Sequence, residues 1–129
     1  MKKVMAFGVF DGVHGGHREF LRQARMLGDY LIVVVAQDHI VQELKGKTPV
    51  KNIEERFEHL RDADGVDMVA IGDHDSNTWE VVKKHKPDII AIGHDQQVLM
   101  DELNHDLPKF GLYPELRMLE VYEKNTPEI

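Results

Sequence analysis

The chain contains no cysteine, and this absence removes several kinds of chemistry from consideration. Disulfide bonds, thiolate metal sites and a cysteine nucleophile are all excluded. Long apolar runs are lacking too: none approaches the roughly 20 residues of a membrane-spanning helix. The apolar stretch at residues 4–7 is too short for a secretory signal. We therefore expect a cytoplasmic protein with no membrane partner.

Basic residues are also scarce relative to acidic ones. The 16 lysines and arginines face 23 aspartates and glutamates, which gives a formal net charge of −7. Proteins that bind nucleic acids usually present a basic face, because phosphate contacts supply most of their affinity. A nucleic-acid partner is therefore not expected. A small anionic ligand is compatible with this charge, since one pocket can be positive on a negative protein.

Apolar strand-like and helix-like segments alternate along the 129 residues. The run at residues 31–36 has no polar alternation, which is typical of a strand covered on both faces. The alternating order predicts a single Rossmann-like α/β domain over residues 1–129, in three layers, with a five-stranded, mainly parallel sheet. Strands are predicted at residues 4–10, 31–36, 67–71, 88–92 and 115–121, helices at 15–27, 52–60, 76–86 and 96–110, and a polar connection at 37–50.

Several residues are predicted to start or end these helices. Gly28 follows the first helix where a C-cap glycine belongs. Asn52 is a predicted N-cap, with Glu55 three residues later as in a capping box. Ser76 is predicted to cap the third helix, and Pro87 to end it.

Parallel α/β sheets bind ligands at the carboxyl ends of their strands, near the point where strand order reverses. Clusters of glycine, histidine and charged residues follow the first four predicted strands, so these loops are candidate site elements. Loops are polar in any case, so the alternative that the third cluster and His39 are ordinary loop residues stays open. The clusters are Asp11, Gly12, His14, Gly16 and His17; Gln37, Asp38 and His39 with Lys45 and Lys47; Gly72, Asp73, His74 and Asp75; and Gly93, His94 and Asp95.

The first cluster carries the most specific signal. Gly16 leaves the backbone open to a ligand, and the amides of the helix that follows would bind an anion. His14 and His17 are three residues apart and can face one side of that first turn. The segment lacks the lysine of a Walker loop and the glycine spacing of a dinucleotide-binding turn. Two other interpretations remain: a metal-binding histidine pair, which would need further ligands, and incidental helix-cap residues.

The pair Phe10-Asp11 followed by His14-x-Gly16-His17 resembles the H-x-G-H signature of the nucleotidylyltransferase superfamily. It is most similar to the form found in glycerol-3-phosphate cytidylyltransferase-like enzymes. The similarity extends through residues 27–35, through Arg56 and through residues 86–96. The lysine loop with its following Pro-Val pair, and the Gly-His-Asp-Gln stretch at 93–96, are most similar to archaeal-type FAD synthetases, which adenylylate FMN.

The resemblance implies direct attack of an acceptor phosphate on the α-phosphorus of a nucleoside triphosphate, with release of pyrophosphate. It also implies Mg²⁺ bound with the triphosphate, and a homodimer. The favoured substrates are ATP and FMN, although no aromatic slot for a flavin ring is recognisable in the sequence. One alternative is a CTP-dependent cytidylyltransferase acting on glycerol 3-phosphate or another polyol phosphate. Another is a non-catalytic nucleotide-binding module on the same fold.

The resemblance also assigns roles to individual residues. His14 and His17 would hold the triphosphate and stabilise the transition state. Lys45 or Lys47, together with Arg56, would neutralise phosphates on the acceptor or leaving group. The implied catalytic set is His14, His17, Lys47 and Arg56, the acceptor-phosphate set is Lys45, Lys47 and Arg56, and the nucleotide-binding set is Val9, Phe10, Asp11, His14, Gly16, His17, Gly93, Asp95 and Thr126.

Some of these residues have other interpretations. Asp11 and Asp95 are candidates for contact with substrate or Mg²⁺, but no dedicated protein metal site is predicted. The lysines also fit a solvated loop, and Arg56 a helix-surface ion pair. Val9 replaces a threonine common in the family, and Thr126 is the one weak counterpart of a Ser/Thr-rich segment that usually contacts the nucleotide. That departure predicts a nucleotide held differently or a low activity.

Overall fold

The computed structural model describes residues 1–12 and 15–120, so His14 and Thr126 lie outside the described residues. No helix within this part of the chain is long and apolar enough to cross a membrane. The elements, in chain order, are β1 (Lys3–Gly8), α1 (Gly15–Met26), β2 (Tyr30–Val35), α2 (Asp38–Lys45), α3 (Ile53–Arg61), β3 (Met68–Ile71), α4 (Glu80–His85), β4 (Ile89–Ile92), α5 (Gln97–Asp106), a 3₁₀ helix (Leu107–Phe110) and β5 (Glu115–Met118).

The five strands form one sheet in the order β3-β2-β1-β4-β5, and every neighbouring pair is parallel. The chain moves outward from the central β1 to β2 and β3, then returns to place β4 on the other side of β1. The reversal of strand order therefore lies between β1 and β4, and the crevice at their carboxyl ends is the expected ligand site. The predicted Rossmann-like α/β fold with a five-stranded parallel sheet is confirmed.

Two apolar layers cover the sheet. Val4 and Ala6 of β1 face α1 and α3, while Met5 faces α4 and α5. β2 is buried on both sides, with Val33 in the first layer and Val34 in the second, which explains its uninterrupted apolar sequence. Each fully buried aliphatic or aromatic side chain contributes about 1.5–3 kcal/mol to the free energy of unfolding.

Residues 37–50 are not the polar connection that the sequence predicts, because α2 occupies residues 38–45. Val41 is the buried residue of α2, so the helix has no long stripe of apolar residues that faces the core. Ile40 and Leu44 instead line a surface pocket. Gly46 ends the helix with a left-handed φ of 71°, and its amide donates to the carbonyl of Gln42.

Gly28 is needed for a reason other than helix capping. Its φ is not left-handed, so the predicted C-cap geometry is absent. A Cβ at this position would lie 2.7 Å from the carbonyl oxygen of Lys2 and 2.9 Å from Cγ2 of Val4. Glycine is required here because the chain after α1 passes very close to β1.

Asn52 caps α3 as predicted, and Glu55 completes the capping box. Ser76, however, does not cap α4, which begins only at Glu80. The cap comes from Asp73, whose carboxylate accepts the backbone N–H of Glu80 at 2.7 Å and of Val81 at 3.1 Å. A carboxylate at the end of β3 thus fixes the start of α4.

Three other predicted elements extend too far at their C-terminal ends. Phe10 has a left-handed φ of 50°, so the first strand ends at Gly8. The predicted helix at 96–110 becomes a 3₁₀ helix after Asp106, at Pro108, whose nitrogen cannot donate a hydrogen bond. The last strand ends at Met118. That residues 1–129 make up one domain stays a prediction.

Candidate functional site

The loop after β1 makes a tight turn at the carboxyl edge of the sheet. Phe10 is completely buried, and its left-handed φ of 50° turns the chain away from the strand. Gly12 has a φ of 94°, and its amide donates to the carbonyl of Phe10 at 2.9 Å. This turn leads the chain to the start of α1, a helix with no acidic residue in its first turn. That helix start is suited to an anion, because its first amides have no partner within the helix.

His17 lies in the first turn of α1 and is only 2% exposed. Its Nδ1 is 2.9 Å from the carbonyl oxygen of Gly12, and its ring packs edge-on against Phe10 at 5.6 Å between centroids. Since a carbonyl oxygen can only accept, this contact places a proton on Nδ1. The ring is therefore oriented by the same loop that precedes the start of α1.

Asp11 connects this loop to the segment before α3. Its Oδ2 accepts the backbone N–H of Val50 at 2.7 Å, and its Oδ1 accepts that of Lys51 at 2.8 Å. Burial raises the pKa of the Asp11 carboxyl, but the amides of Lys51 and Val50 and the charges of Arg56 and Lys51 outweigh it, so the pKa lies below its ordinary value. The carboxylate thus holds the end of the lysine loop in place. Its predicted contact with nucleotide or Mg²⁺ stays a prediction.

Arg56 is completely buried in α3, so it is not the surface ion-pair residue considered as an alternative. Four of the five guanidinium N–H groups are used within the protein. Nε donates to the carbonyl of Lys51 at 3.0 Å. Nη1 donates to the carbonyls of Val9 at 3.0 Å and Ala36 at 2.7 Å, and Nη2 donates to Oδ1 of Asp38 at 2.6 Å.

These contacts make Arg56 a junction between the loops that follow β1 and β2 and the start of α3. One guanidinium contacts Ala36, which precedes Arg56 by 20 positions in the sequence, and Val9, which precedes it by 47. The side chain is therefore a positioning residue in this structure. Its predicted direct contact with a phosphate stays a prediction.

The two predicted lysines differ in their surroundings. Lys45 is the last residue of α2, is partly buried and lines the pocket described below. Lys47 is exposed, on the loop that begins at Gly46 and ends at the segment held by Asp11. The pocket places Lys45 at the carboxyl edge of the sheet, and Lys47 follows it by two residues.

Gln96 joins the two strands on either side of the crevice, a role that the sequence analysis did not identify. Its Nε2 donates to the carbonyl of Phe7 at the end of β1 at 2.8 Å, and its Oε1 accepts the backbone N–H of Gly93 after β4 at 2.9 Å. Gly93 is buried beneath this bridge, and Asp95 is exposed beside it. Sequence alone could have singled out Gln96 only as a part of the Gly-His-Asp-Gln stretch.

A pocket of about 370 Å³ opens at this edge, on the face of the sheet that carries α4 and α5. The volume falls in the range of small-molecule sites. Of the predicted site residues it brings together Val9, Lys45 and Asp95, and Gly72, Asp73 and Asp75 of the third predicted loop cluster also line it. Its apolar wall comes from Phe7, Val34, Ile40, Leu44, Trp79, Val98 and Leu99. Two aromatic side chains, Phe7 and Trp79, are among the lining residues, which the sequence did not reveal.

Trp79 is fixed firmly in the wall of this pocket. It packs edge-on against Phe7 at 6.1 Å between ring centroids and is only 7% exposed. Its Nε1–H donates to Oδ2 of Asp106 at 2.8 Å. Hydrogen bonds from Trp79 and His105 hold the pKa of the Asp106 carboxyl below its ordinary value. Both ends of the indole are therefore anchored, and its position does not depend on a ligand.

The described residues contain no group of three or more histidine, aspartate or glutamate side chains that could hold a metal ion. A cation at this edge would need most of its ligands from water and a bound phosphate. Mg²⁺ is commonly bound in that way, with one or two carboxylates from the protein.

Comparison with known proteins adds independent findings. The model of the family described as "Cytidylyltransferase-like" matches residues 5–128. The FAD synthase of Thermococcus onnurineus (strain NA1) is 43% identical over 124 residues, which is 95% of this chain and 83% of that protein. The FAD synthase of Methanothermobacter thermautotrophicus is 43% identical over 125 residues, covering 95% of this chain and 82% of that protein.

Among solved structures, a protein of Thermoplasma volcanium GSS1, described as a lipopolysaccharide core biosynthesis protein, has a TM-score of 0.88 and 35% sequence identity. The match covers 95% of this chain and 99% of that chain. The fold and the family resemblance expected from the sequence are both confirmed, and with them the expectation of an enzyme.

Proposed function

Because the chain belongs to the cytidylyltransferase-like family of nucleotidyltransferases, we propose that it transfers AMP from ATP to FMN, forming FAD and releasing pyrophosphate. One observation in the structure carries this proposal. A helix start suited to an anion and an apolar pocket both follow the carboxyl edge of the sheet, and Gly8 and Val9, which line the pocket, begin the loop that leads to that helix start. The similarity to two FAD synthases over nearly the whole chain supports the same pair of substrates.

The reaction needs no covalent enzyme intermediate. An oxygen of the FMN phosphate forms a bond to the α-phosphorus of ATP, and the bond from that phosphorus to the bridging oxygen breaks. Pyrophosphate leaves with the electron pair, and no oxidant, reductant or water is consumed. The protein's task is to align the two phosphates and to stabilise the charge that develops between them.

The residues present fit that task. The amides at the start of α1 and the ring of His17 would contact the triphosphate, with His14 beside them as the sequence predicts. Lys45 and Lys47 would reduce the repulsion between the acceptor phosphate and ATP. Asp11 and Arg56 would act by holding the loops that carry these groups.

Mg²⁺ would enter with the triphosphate and would neutralise charge on the leaving pyrophosphate. Asp95, exposed on the wall of the crevice, is the carboxylate proposed to contact it. Asp11 would instead hold the end of the lysine loop, through the backbone N–H groups of Val50 and Lys51. A cytoplasmic location and a homodimer stay predictions from the sequence and the family resemblance.

A matrix of substrates tests the proposal. ATP and CTP are each combined with FMN and with glycerol 3-phosphate in the presence of Mg²⁺, and pyrophosphate release is measured. We expect turnover with ATP and FMN, and FAD as the second product. Turnover confined to CTP would reject adenylylation in favour of a cytidylyltransferase. Nucleotide binding without turnover in any combination would indicate a non-catalytic module.

A further inference from the structure

The pocket has an apolar inner wall and a charged rim. Its wall is formed by Phe7 and Trp79 at the bottom of the crevice, with Ile40 from α2 and Leu99 from α5. A polyol has hydroxyl groups along its whole length, and each one placed against such a wall would lose a hydrogen bond to water. A flat ring system has no such cost over its faces.

Two exposed apolar side chains flank this wall from opposite helices. Leu44, in the last turn of α2, is 69% exposed, and Val98, in the first turn of α5, is 70% exposed. Both line the pocket. Since apolar surface gains free energy when it leaves water, a ligand that covers both side chains would bind more tightly than one that leaves them exposed.

The charges around the pocket restrict which part of a ligand can enter. Four carboxylates lie in its lining, those of Asp73, Asp75, Asp95 and Glu102, and Lys45 supplies the opposite charge. A triphosphate placed inside the pocket, against Asp73, Asp75 and Glu102, would be repelled. A neutral ring with a single phosphate near Lys45 meets no such repulsion. The apolar wall of the pocket therefore suits an uncharged ring, and the position near Lys45 suits one phosphate.

Resting on the proposed function, we propose that this pocket, hereafter the ring pocket, binds the isoalloxazine ring of the flavin acceptor. Leu44 and Val98 are its specificity-determining residues. They favour an acceptor that carries a flat ring with apolar faces over a polyol phosphate. The adenine of ATP is the other flat body in the reaction, and the experiment below distinguishes the two.

The test uses the double variant Leu44→Gln with Val98→Gln, which keeps helix-compatible residues at both exposed positions. Met26→Gln is the matched control, because Met26 is 72% exposed on α1, on the opposite face of the sheet. The probe is riboflavin, which has the ring but no phosphate. Its binding is followed by quenching of Trp79, the protein's single tryptophan.

We expect the double variant to bind riboflavin about tenfold more weakly than the wild-type protein, a change that matches partial burial of two aliphatic side chains. KM for FMN rises by a similar factor, while KM for ATP stays within about twofold. The Met26→Gln control leaves all three values unchanged. Glycerol 3-phosphate does not displace riboflavin from either protein.

The outcomes separate this inference from the proposed function. FAD formation with an unchanged KM for FMN in the double variant overturns the ring pocket and leaves the proposed function standing. Weakened riboflavin binding in a protein that forms no FAD supports the ring pocket and rejects the function. A rise in KM confined to ATP would assign the pocket to the adenine, and wild-type protein that binds no riboflavin would also overturn the inference.

Discussion

Arg56 and Asp38 form an ion pair in which Nη2 donates to Oδ1 at 2.6 Å, with the arginine side chain fully buried and the aspartate side chain 40% exposed. The same guanidinium is bonded to the backbone carbonyls of Val9, Ala36 and Lys51. Burying a charge is tolerated only when it is paired and hydrogen-bonded, and here both conditions hold. The pair therefore stabilises the fold and fixes the loops around the crevice together.

Arg56→Ala should reduce both stability and turnover. The substitution leaves three carbonyl oxygens without their donor and Asp38 without its partner, and breaking a buried pair costs about 3–5 kcal/mol. Arg56→Lys should recover only part of this loss, because an ammonium cannot reach four acceptors in the planar arrangement of a guanidinium. Urea unfolding and pyrophosphate release provide the two measurements.

Arg61→Ala is the control for this prediction, since Arg61 lies one turn further along α3 in an exposed ion pair with Glu58. Its effect on the free energy of unfolding should stay near about 0.5 kcal/mol. A similar loss of stability in the two alanine variants would show that the buried contacts of Arg56 contribute little.

The Asp11 carboxylate gives a pH-dependent prediction. Its folded pKa is below the ordinary value of 3.8, so the anion is the form that the fold favours. The resulting stabilisation is present above that ordinary value and is lost as the pH falls through the lower folded pKa. The stability difference between wild type and Asp11→Asn should therefore be full near neutral pH and should shrink in acid. Thermal unfolding at a series of pH values measures it.

Asp64→Asn serves as the comparison, because Asp64 is an exposed carboxylate on the loop before β3. If the stability difference between the wild-type protein and Asp11→Asn stays constant from neutral pH into acid, the proposed amide contacts with Val50 and Lys51 are contradicted. Asp11→Asn should also slow turnover, since an amide offers one acceptor oxygen in place of two.

The sequence predicted the parts of this molecule whose signals are local. The apolar run of β2 and the Asn52–Glu55 capping box each lie within a few neighbouring residues, and both were identified correctly. The histidine motif is equally compact. α2 was missed because its apolar residues Ile40 and Leu44 line a surface pocket rather than the core, and Val41 is the buried residue of the helix.

The remaining features depend on distances that no local pattern records. Arg56 meets Val9 from 47 positions away in the sequence, and Gln96 meets Phe7 from 89 positions away. The ring pocket is assembled from strand ends and three helices, so Trp79 could be recognised only as a packed aromatic residue. Contacts of this kind follow from the sheet order, which the sequence pattern left open.

The lysine loop should contribute to catalysis through its charge. Lys45→Ala and Lys47→Ala should each lower kcat/KM more than Lys84→Ala, because Lys84 is exposed on α4 and does not line the pocket. Lys83 is a poorer control, since it contacts the ring of Phe110 at 3.8 Å and pairs with Glu80. Equal effects from Lys45, Lys47 and Lys84 would mean that the loop is merely solvated.

His17 allows its two roles to be separated by two substitutions. An asparagine amide nitrogen falls near the position of Nδ1, so His17→Asn can keep the contact with the carbonyl of Gly12 while removing the group at the position of Nε2. His17→Ala removes both. The ring contacts Gly12 at 2.9 Å through Nδ1, which leaves contact with the triphosphate to the opposite side of the imidazole.

His17→Asn should therefore keep a near-native melting temperature and lose roughly 10²–10³ in kcat, the cost of removing one transition-state donor. His17→Ala should show the same loss of rate together with lower stability, because the partly buried carbonyl of Gly12 then loses the imidazole donor. His14→Ala is expected to lose rate to a similar degree, and His59→Ala, an exposed histidine on α3, to leave both quantities unchanged. Pyrophosphate release and circular dichroism melting measure the two effects. A wild-type rate for His17→Asn would show that the ring acts only through Gly12, and the anion at the start of α1 would then have to be stabilised by backbone amides and lysines alone.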